Sequence, residues 1–302
     1  MLKIFISSIL IVLFYVKLIH SQSENCGIIA PSVRNYIFGG KSSLIEQWPW
    51  QLHLKITNKH VKNFEDYDHA NCGGTILDDS WIVTAAHCFS DHHEPNIFIL
   101  NGHNTTLNDN YKLIKYDEII KHPNYREYTG NHEFSTNDIA LVKISNSYRF
   151  LKSLPRPCLP KQNSIIPANS ICYITGFGAS DRFDTQPVKR LKEGKVAIKY
   201  DKICIKSLSL PYYDNDTMIC AGRAKGSKAN SCQGDSGGPL VCEGSFGDSK
   251  QERWYLFGIT SFGALDCTSF SSSVYTKVSS YVDWINETIR RKRSYKRSIF
   301  GH

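Results

Sequence analysis

Apolar residues recur along this chain in short runs rather than in long amphipathic stretches. The runs are Gln51–Ile56, Trp81–Ala86, Ile139–Ile144, Ile171–Thr175, Val196–Ile198, Pro239–Val241, Tyr255–Ile259 and Ser273–Lys277, separated by polar or Gly/Pro-rich turns. Their length and their Val, Ile, Tyr and Trp content predict β-strands. No strand–helix alternation accompanies them, so a parallel doubly wound sheet is not expected. Many short strands in a chain of this size point instead to all-β barrels or sandwiches. One helix is predicted near the C-terminus, where Tyr281, Val282, Trp284, Ile285 and Ile289 fall at helical spacing after Ser279 and Ser280 as caps. No internal repeat is visible.

The apolar run from Ile4 to Val16 is of a different kind. It follows Lys3, stops at Lys17, and precedes Ser21-Gln22-Ser23. That order predicts a secretory signal peptide over residues 1–23, hence a secreted, extracellular protein. A signal anchor is the alternative, but the run is short for a membrane span, and no stable membrane insertion is expected.

Composition adds little until it is divided along the chain. With 302 residues, 41% of them hydrophobic and 21% charged, the chain can bury a sizeable core. The net charge of +8 is misleading. Residues 290–302 carry six cations and no acid, and Lys3 and Lys17 add two, which leaves 8 − 6 − 2 = 0 for the stretch between. Charge confined to the two ends gives no folded basic face, so a nucleic-acid partner is not expected.

Ten cysteines in a chain entering the secretory route predict disulfides. No C-x-x-C or H-E-x-x-H spacing is present, so no metal site is expected. His92-His93-Glu94 reads as a solvated loop. Asn104, Asn215 and Asn286 each begin an N-x-Thr glycosylation pattern, the third inside the predicted helix.

The candidate chemistry centres on Gly234-Asp235-Ser236-Gly237-Gly238. Glycines on both sides of a serine free the backbone to expose its hydroxyl and let peptide N–H groups approach a substrate oxygen. That pattern alone fits both the nucleophile elbow of α/β-hydrolases and the nucleophile loop of chymotrypsin-like proteases. Chain order separates them. An α/β-hydrolase places its acid and histidine after the serine, and here His302, in a charged tail, is the sole histidine downstream. The base therefore comes from upstream. Thr84-Ala85-Ala86-His87-Cys88 offers a histidine beside a cysteine that can pin it, and Asn137-Asp138-Ile139-Ala140-Leu141 places a carboxylate at the mouth of an apolar strand.

These residues resemble the chymotrypsin–trypsin family of serine proteases. The resemblance is carried by WPWQ (48–51), CGG (72–74), TAAHC (84–88), NDIAL (137–141), CQGDSGGP (232–239) and VYTKV (274–278), and it spans residue 37 to about 290. It implies two six-stranded antiparallel Greek-key barrels with a C-terminal helix. It also implies a serine endopeptidase with His87, Asp138 and Ser236 as triad, and the N–H groups of Gly234 and Ser236 as oxyanion donors. Ser261, Phe262 and Gly263 would pair with the substrate backbone, Phe262 standing where the family usually has Trp. The implied disulfides are Cys72–Cys88, Cys172–Cys242, Cys204–Cys220, Cys232–Cys267 and Cys26–Cys158. No organic cofactor is implied. Calcium is not expected either, because the corresponding loop has Gly102 at a usual glutamate position and Asp109 as its one acid. Implied partners are protein or peptide substrates, protein inhibitors and an activating protease, with the protein itself a monomer.

The same resemblance divides the chain into a signal peptide (1–23), a propeptide (24–36), a protease domain (37–290) and a basic tail (291–302). Family members are made inactive. A cut before an Ile-Val-Gly-Gly start frees an ammonium that pairs with the acid preceding the nucleophile, here Asp235. Ile37-Phe38-Gly39-Gly40 is a near match, but Tyr36 rather than Arg or Lys precedes it. An activator preferring aromatic residues, trimming after a cut at Arg34, and unconventional activation all stay open. The primary pocket would carry Asn230 at its base, Gly263 at its mouth and Ser273 deeper in. A neutral amide at the base predicts neutral residues over Arg or Lys in the substrate, with a nearby acid such as Asp266 as the complication. Loops Thr57–Ala70 and Glu243–Arg253 look extended, which suits a restricted substrate range. The basic tail reads as a solvated helix end, with a processing site or an anionic-surface anchor as alternatives. A catalytically silent relative used for binding is the rival function.

Overall fold

The computed structural model describes residues 26–29, 43, 45–58, 69–90, 95–101, 112–127, 134–145, 151, 154–179, 188, 190–246, 251–264, 267 and 272–300. The signal and activation segments, Asn104, His92-His93-Glu94, Asp109, Asp266, residues 59–68 of the first extended loop and residues 247–250 of the second lie outside the described residues.

The first antiparallel sheet contains β1 (Gln51–Thr57), β2 (His69–Ile76), β3 (Trp81–Thr84), β4 (Asn96–Asn101), β5 (Lys112–Ile114), β6 (Tyr116–Lys121) and β7 (Ala140–Ile144), in the order β5-β4-β1-β2-β3-β7-β6. Its outer members β5 and β6 are consecutive in the chain, separated by Lys115 alone. The two edges of the sheet therefore meet at one stretch of chain, and six strand stretches make up this half. The second half is a closed six-stranded barrel of β8 (Ile171–Gly176), β9 (Lys192–Ile198), β10 (Met218–Arg223), β11 (Pro239–Gly244), β12 (Arg253–Gly263) and β13 (Ser272–Lys277), in the order β10-β13-β12-β11-β8-β9. A short helix α1 (Asp201–Ser207) joins β9 to β10, and helix α2 (Val282–Phe300) closes the chain. This is the chymotrypsin-like architecture that the resemblance implies.

Burial explains why the strands form. Every residue of β1 and β3 is buried: β3 reads as a continuous apolar run, whereas β1 alternates Leu52, Leu54 and Ile56 with the buried polar Gln51, His53, Lys55 and Thr57. Trp50, Leu52, Leu54, Ile56, Trp81 and Ile82 pack in the first half. Cys172, Val196, Leu240, Cys242, Phe257 and Tyr275 pack in the second. Trp48 stacks edge-on against Trp254, with ring centroids 4.9 Å apart. Five disulfides add covalent ties: Cys26–Cys158, Cys72–Cys88, Cys172–Cys242, Cys204–Cys220 and Cys232–Cys267. These are the same pairs as the resemblance implies, and no described cysteine is free.

The structure departs from the sequence pattern at informative places. β3 stops at Thr84, and Ala86–Phe89 form a single 3-10 turn instead of a strand end. Ile139 lies outside β7, which begins at Ala140. Both departures fall beside candidate catalytic residues, where the backbone must turn to present a side chain. β12 extends to Gly263, past the apolar run, because polar Thr260 and Ser261 are also buried in the barrel. α2 continues without a break through the basic run. There Lys292 Nζ meets Glu118 Oε1 at 2.6 Å and Arg293 Nη2 meets Asp78 Oδ2 at 2.6 Å. The helix end is thus paired to acids of the first half rather than simply solvated. Among the described residues, no helix is long and apolar enough to cross a membrane.

Candidate active site

His87 sits in the 3-10 turn after β3, held from two directions. Cys88 ties the turn to Cys72 of β2, and the His87 backbone N–H donates to Asp138 Oδ1 at 2.9 Å. The imidazole Nδ1 lies 2.7 Å from Asp138 Oδ2. With the carboxylate ionised, this geometry places the proton on Nδ1 and leaves Nε2 with its lone pair. Ser261 Oγ donates to the same carboxylate oxygen at 2.6 Å. Asp138 is only 2% exposed, so all three donors act on a desolvated charge. Burial pushes the Asp138 carboxyl up, but the His87 charge and the three hydrogen bonds outweigh it and hold the group below its usual range. Burial pushes the His87 imidazole down, and the neighbouring carboxylate more than offsets it, so His87 stands above its ordinary value. Glu127 adds to that upward shift.

The loop carrying Ser236 is brought to the same place through the backbone. Gly73 N–H donates to the Ser236 carbonyl at 2.6 Å. Gly73 is next to Cys72, and Cys72 is bonded to the neighbour of His87. Close approach demands glycine here. A Cβ on Gly237, which has φ +78°, would stand 2.1 Å from Thr84 Oγ1 and 2.6 Å from the Gly73 carbonyl. No hydrogen bond joins the Ser236 hydroxyl to the His87 ring among the described residues. The structure places the imidazole–carboxylate pair in hydrogen-bonded contact and brings the serine loop alongside it. Gly234 has φ +89°, and among the described residues the N–H groups of Gly234 and Ser236 have no backbone acceptor, which leaves them available to an incoming oxygen.

Asp235 points the other way, into the second half. Its carboxylate accepts from Gly178 N at 2.8 Å and from Cys232 N at 3.0 Å. A Cβ on Gly176 or on Gly178 would clash with it. Burial pushes this carboxyl up to about 6, only partly offset by the two N–H donors and by Lys192. An acid whose folded value exceeds its unfolded one stabilises the fold at low pH and loses that contribution as pH rises through the folded value. The uncleaved chain should therefore lose stability between about pH 4 and about pH 6. Asp235→Asn should flatten that dependence in urea unfolding measured across this window, and an unchanged slope would contradict the assignment.

The proposed pocket residues form one chain of hydroxyls and an amide. Ser231 Oγ lies 2.8 Å from Ser273 Oγ, which donates to Asn230 Oδ1 at 2.9 Å, and Tyr275 OH donates to Ser231 Oγ at 3.4 Å. A Cβ on Gly263 would stand 2.6 Å from Ser273 Oγ. The Ser273 side chain therefore fills space beside Gly263. Phe262 stacks on Phe134, with centroids 4.7 Å apart. Phe134 and Ser231 were missed by the sequence reading. Ser261 was assigned to substrate pairing, and its role beside Asp138 had no local signal. Asn215 and Asn286 are exposed, but Thr288 of the third glycosylation pattern is buried. Among the described residues, Cys72, His87 and Cys88 are the one close group of potential metal ligands. The two sulfurs are bonded to each other, so the group offers no thiolate to a metal.

The family model described as Trypsin matches residues 37–285. An Ovochymase from Halocynthia roretzi is 34% identical over 255 residues, covering 83% of this chain. The chain spans about 15% of that relative's length.

Proposed function

The chain belongs to the trypsin family of serine proteases, and from that premise we propose that it is a secreted serine endopeptidase, made as a zymogen, with His87, Asp138 and Ser236 as its catalytic triad. The observation that carries the reading is the 2.7 Å contact between His87 Nδ1 and a buried Asp138 that also holds Ser261.

In this reading Ser236 Oγ attacks the scissile carbonyl, and His87 Nε2 takes its proton and passes it to the departing amine. Asp138 keeps the second imidazole proton on Nδ1 and stabilises the imidazolium that forms. The N–H groups of Gly234 and Ser236 receive the oxyanion, each such donor contributing about 3 kcal/mol to lowering the barrier. Water then repeats the sequence on the acyl-enzyme. The serine–histidine hydrogen bond closes in the substrate complex, as catalytic contacts in free enzymes commonly do.

Activation is a cut between Tyr36 and Ile37, after which the new ammonium pairs with Asp235. Support comes from the buried carboxylate, whose two partners are neutral N–H groups. A buried acid short of counter-charge is costly, and a cation supplied by the cut relieves that cost. The Cys26–Cys158 bond would keep residues before the cut attached.

The pocket supports cleavage after neutral residues of aromatic or medium size. Asn230 brings no charge to its base, and Ser273 narrows it. The activated protein should hydrolyse peptide amides with Phe, Tyr or Leu before the scissile bond faster than those with Arg. Asn230→Asp should raise kcat/KM for Arg substrates about 10- to 100-fold, the span of a charge-assisted hydrogen bond. A strong Arg preference in the unmodified protein would refute this pocket assignment.

A further inference from the structure

Three donors hold the Asp138 carboxylate, but the orientation of that carboxylate also depends on the turn that carries it. Asn137 has φ +49°, and Ile139 N donates back to the Asn137 carbonyl at 2.9 Å. Asparagine adopts this left-handed conformation more readily than other non-glycine residues, and the turn is then fixed by hydrogen bonds from neighbouring elements.

These bonds come from β13, from the turn before α2 and from the segment after β6. Thr276 Oγ1, on β13, donates to the Asp138 carbonyl at 2.7 Å. Tyr281 OH, in the turn just before α2, donates to Asn137 Oδ1 at 2.9 Å. The same Asn137 side chain donates through Nδ2 to the Asn124 carbonyl at 3.1 Å. His122 then closes the circuit. Its backbone N–H donates to the Ile139 carbonyl at 3.0 Å, and its ring lies edge-on between Tyr281 and Trp284, 5.1 Å and 4.9 Å from their centroids. The residues on both sides of Asp138, and Asp138 itself, are therefore each held by hydrogen bonds from other elements.

We propose that Thr276 and Tyr281 are positioning residues for Asp138, two hydroxyls that hold the 137–139 turn in the shape that aims its carboxylate at His87. The proposal rests on the triad reading above. Neither hydroxyl touches substrate. Each acts by keeping the Nδ1–carboxylate contact short, on which both the tautomer and the basicity of His87 depend. Loosening the turn lengthens that contact and weakens the upward pull of Asp138 on the imidazole. Glu127, the other acid that acts on His87, is untouched by either change and stays as a constant background.

The test uses the full chain cleaved before Ile37, with peptide substrates. Thr276→Val keeps shape and removes the hydroxyl, Thr276→Ser restores it, and Tyr281→Phe keeps the ring that packs on His122. The expected result is that Thr276→Val and Tyr281→Phe each lower kcat about tenfold with KM unchanged, as small misplacements of a catalytic group do. The acid limb of kcat/KM should move to lower pH in both, and Thr276→Ser should return kcat and limb to the starting values. Near-UV circular dichroism reports folding, and Tyr281→Phe carries the test if Thr276→Val does not fold. An unmoved acid limb, with or without loss of kcat, overturns the positioning role while leaving the triad intact. Asp138→Asn measured alongside separates the two ideas: full activity in that variant would overturn the triad reading itself.

Discussion

Replacing Ser236 by alanine lowers kcat about a millionfold, as removal of the nucleophile does in enzymes of this mechanism, while leaving the fold as stable as before. The two halves of that expectation have separate grounds. The activity loss follows because no other hydroxyl stands in the 234–238 loop, where the N–H groups of Gly234 and Ser236 have no backbone acceptor among the described residues. The unchanged stability follows because the loop is fixed by its backbone, through Gly73 N–H to the Ser236 carbonyl and Gly237 N–H to the Thr260 carbonyl at 2.8 Å. The half-buried side chain takes no part in those bonds, so its truncation should change stability by no more than about 0.5 kcal/mol. Thermal unfolding and single-turnover hydrolysis on the same preparation check both. A variant that is inactive because it is unfolded would count against the placement of the loop.

Asp138→Asn is expected to cost about ten-thousandfold in kcat, and here stability should suffer as well. His87 Nδ1, the His87 backbone N–H and Ser261 Oγ all donate to a carboxylate. An amide in its place turns an acceptor into a donor at one of the two oxygens. If that amide nitrogen faces Nδ1, the imidazole must move its proton to Nε2 and can no longer accept one from Ser236. The buried donors left without an acceptor cost about 1–3 kcal/mol each. The pH profile gives a second reading: without the carboxylate the His87 pKa falls, so whatever activity remains should persist to lower pH than in the unmodified protein. Denaturant unfolding alongside the pH–rate profile separates the two effects.

Much of this was legible in the sequence, for a physical reason. Residues whose environment is local in the chain announce themselves. Gly234 and Gly237 need left-handed backbone, and a pinned histidine needs the cysteine beside it, so GDSGG and AAHC are readable as short words. The strands were readable because their buried Val, Ile, Leu, Tyr and Trp residues are close together in the chain, even where buried polar residues interrupt them, as in β1. What stayed hidden depends on contacts across the chain. β2 reads as HANCGGTI, without a strand-like pattern, because Gly73 is there to let the Gly238 backbone come close. Ser261, Thr276 and Tyr281 lie far along the chain from Asp138, and nothing in their neighbours marks them as its supports. Phe134 follows the same rule, since its meaning comes from Phe262. The basic run at 290–293 was read as solvent-facing because its acidic partners, Asp78 and Glu118, come from the first half of the chain.

The central claim is that the hydroxyl of Ser236 becomes a nucleophile beside a histidine–aspartate pair. Its most direct test is to cleave the protein between Tyr36 and Ile37, treat it with a serine-directed phosphonate, and locate the adduct by peptide mass spectrometry. The account predicts a single stoichiometric adduct on Ser236, absent from uncleaved protein and from His87→Ala. A correctly cleaved and folded protein that stays unlabelled, or that carries its adduct on another serine, would contradict it.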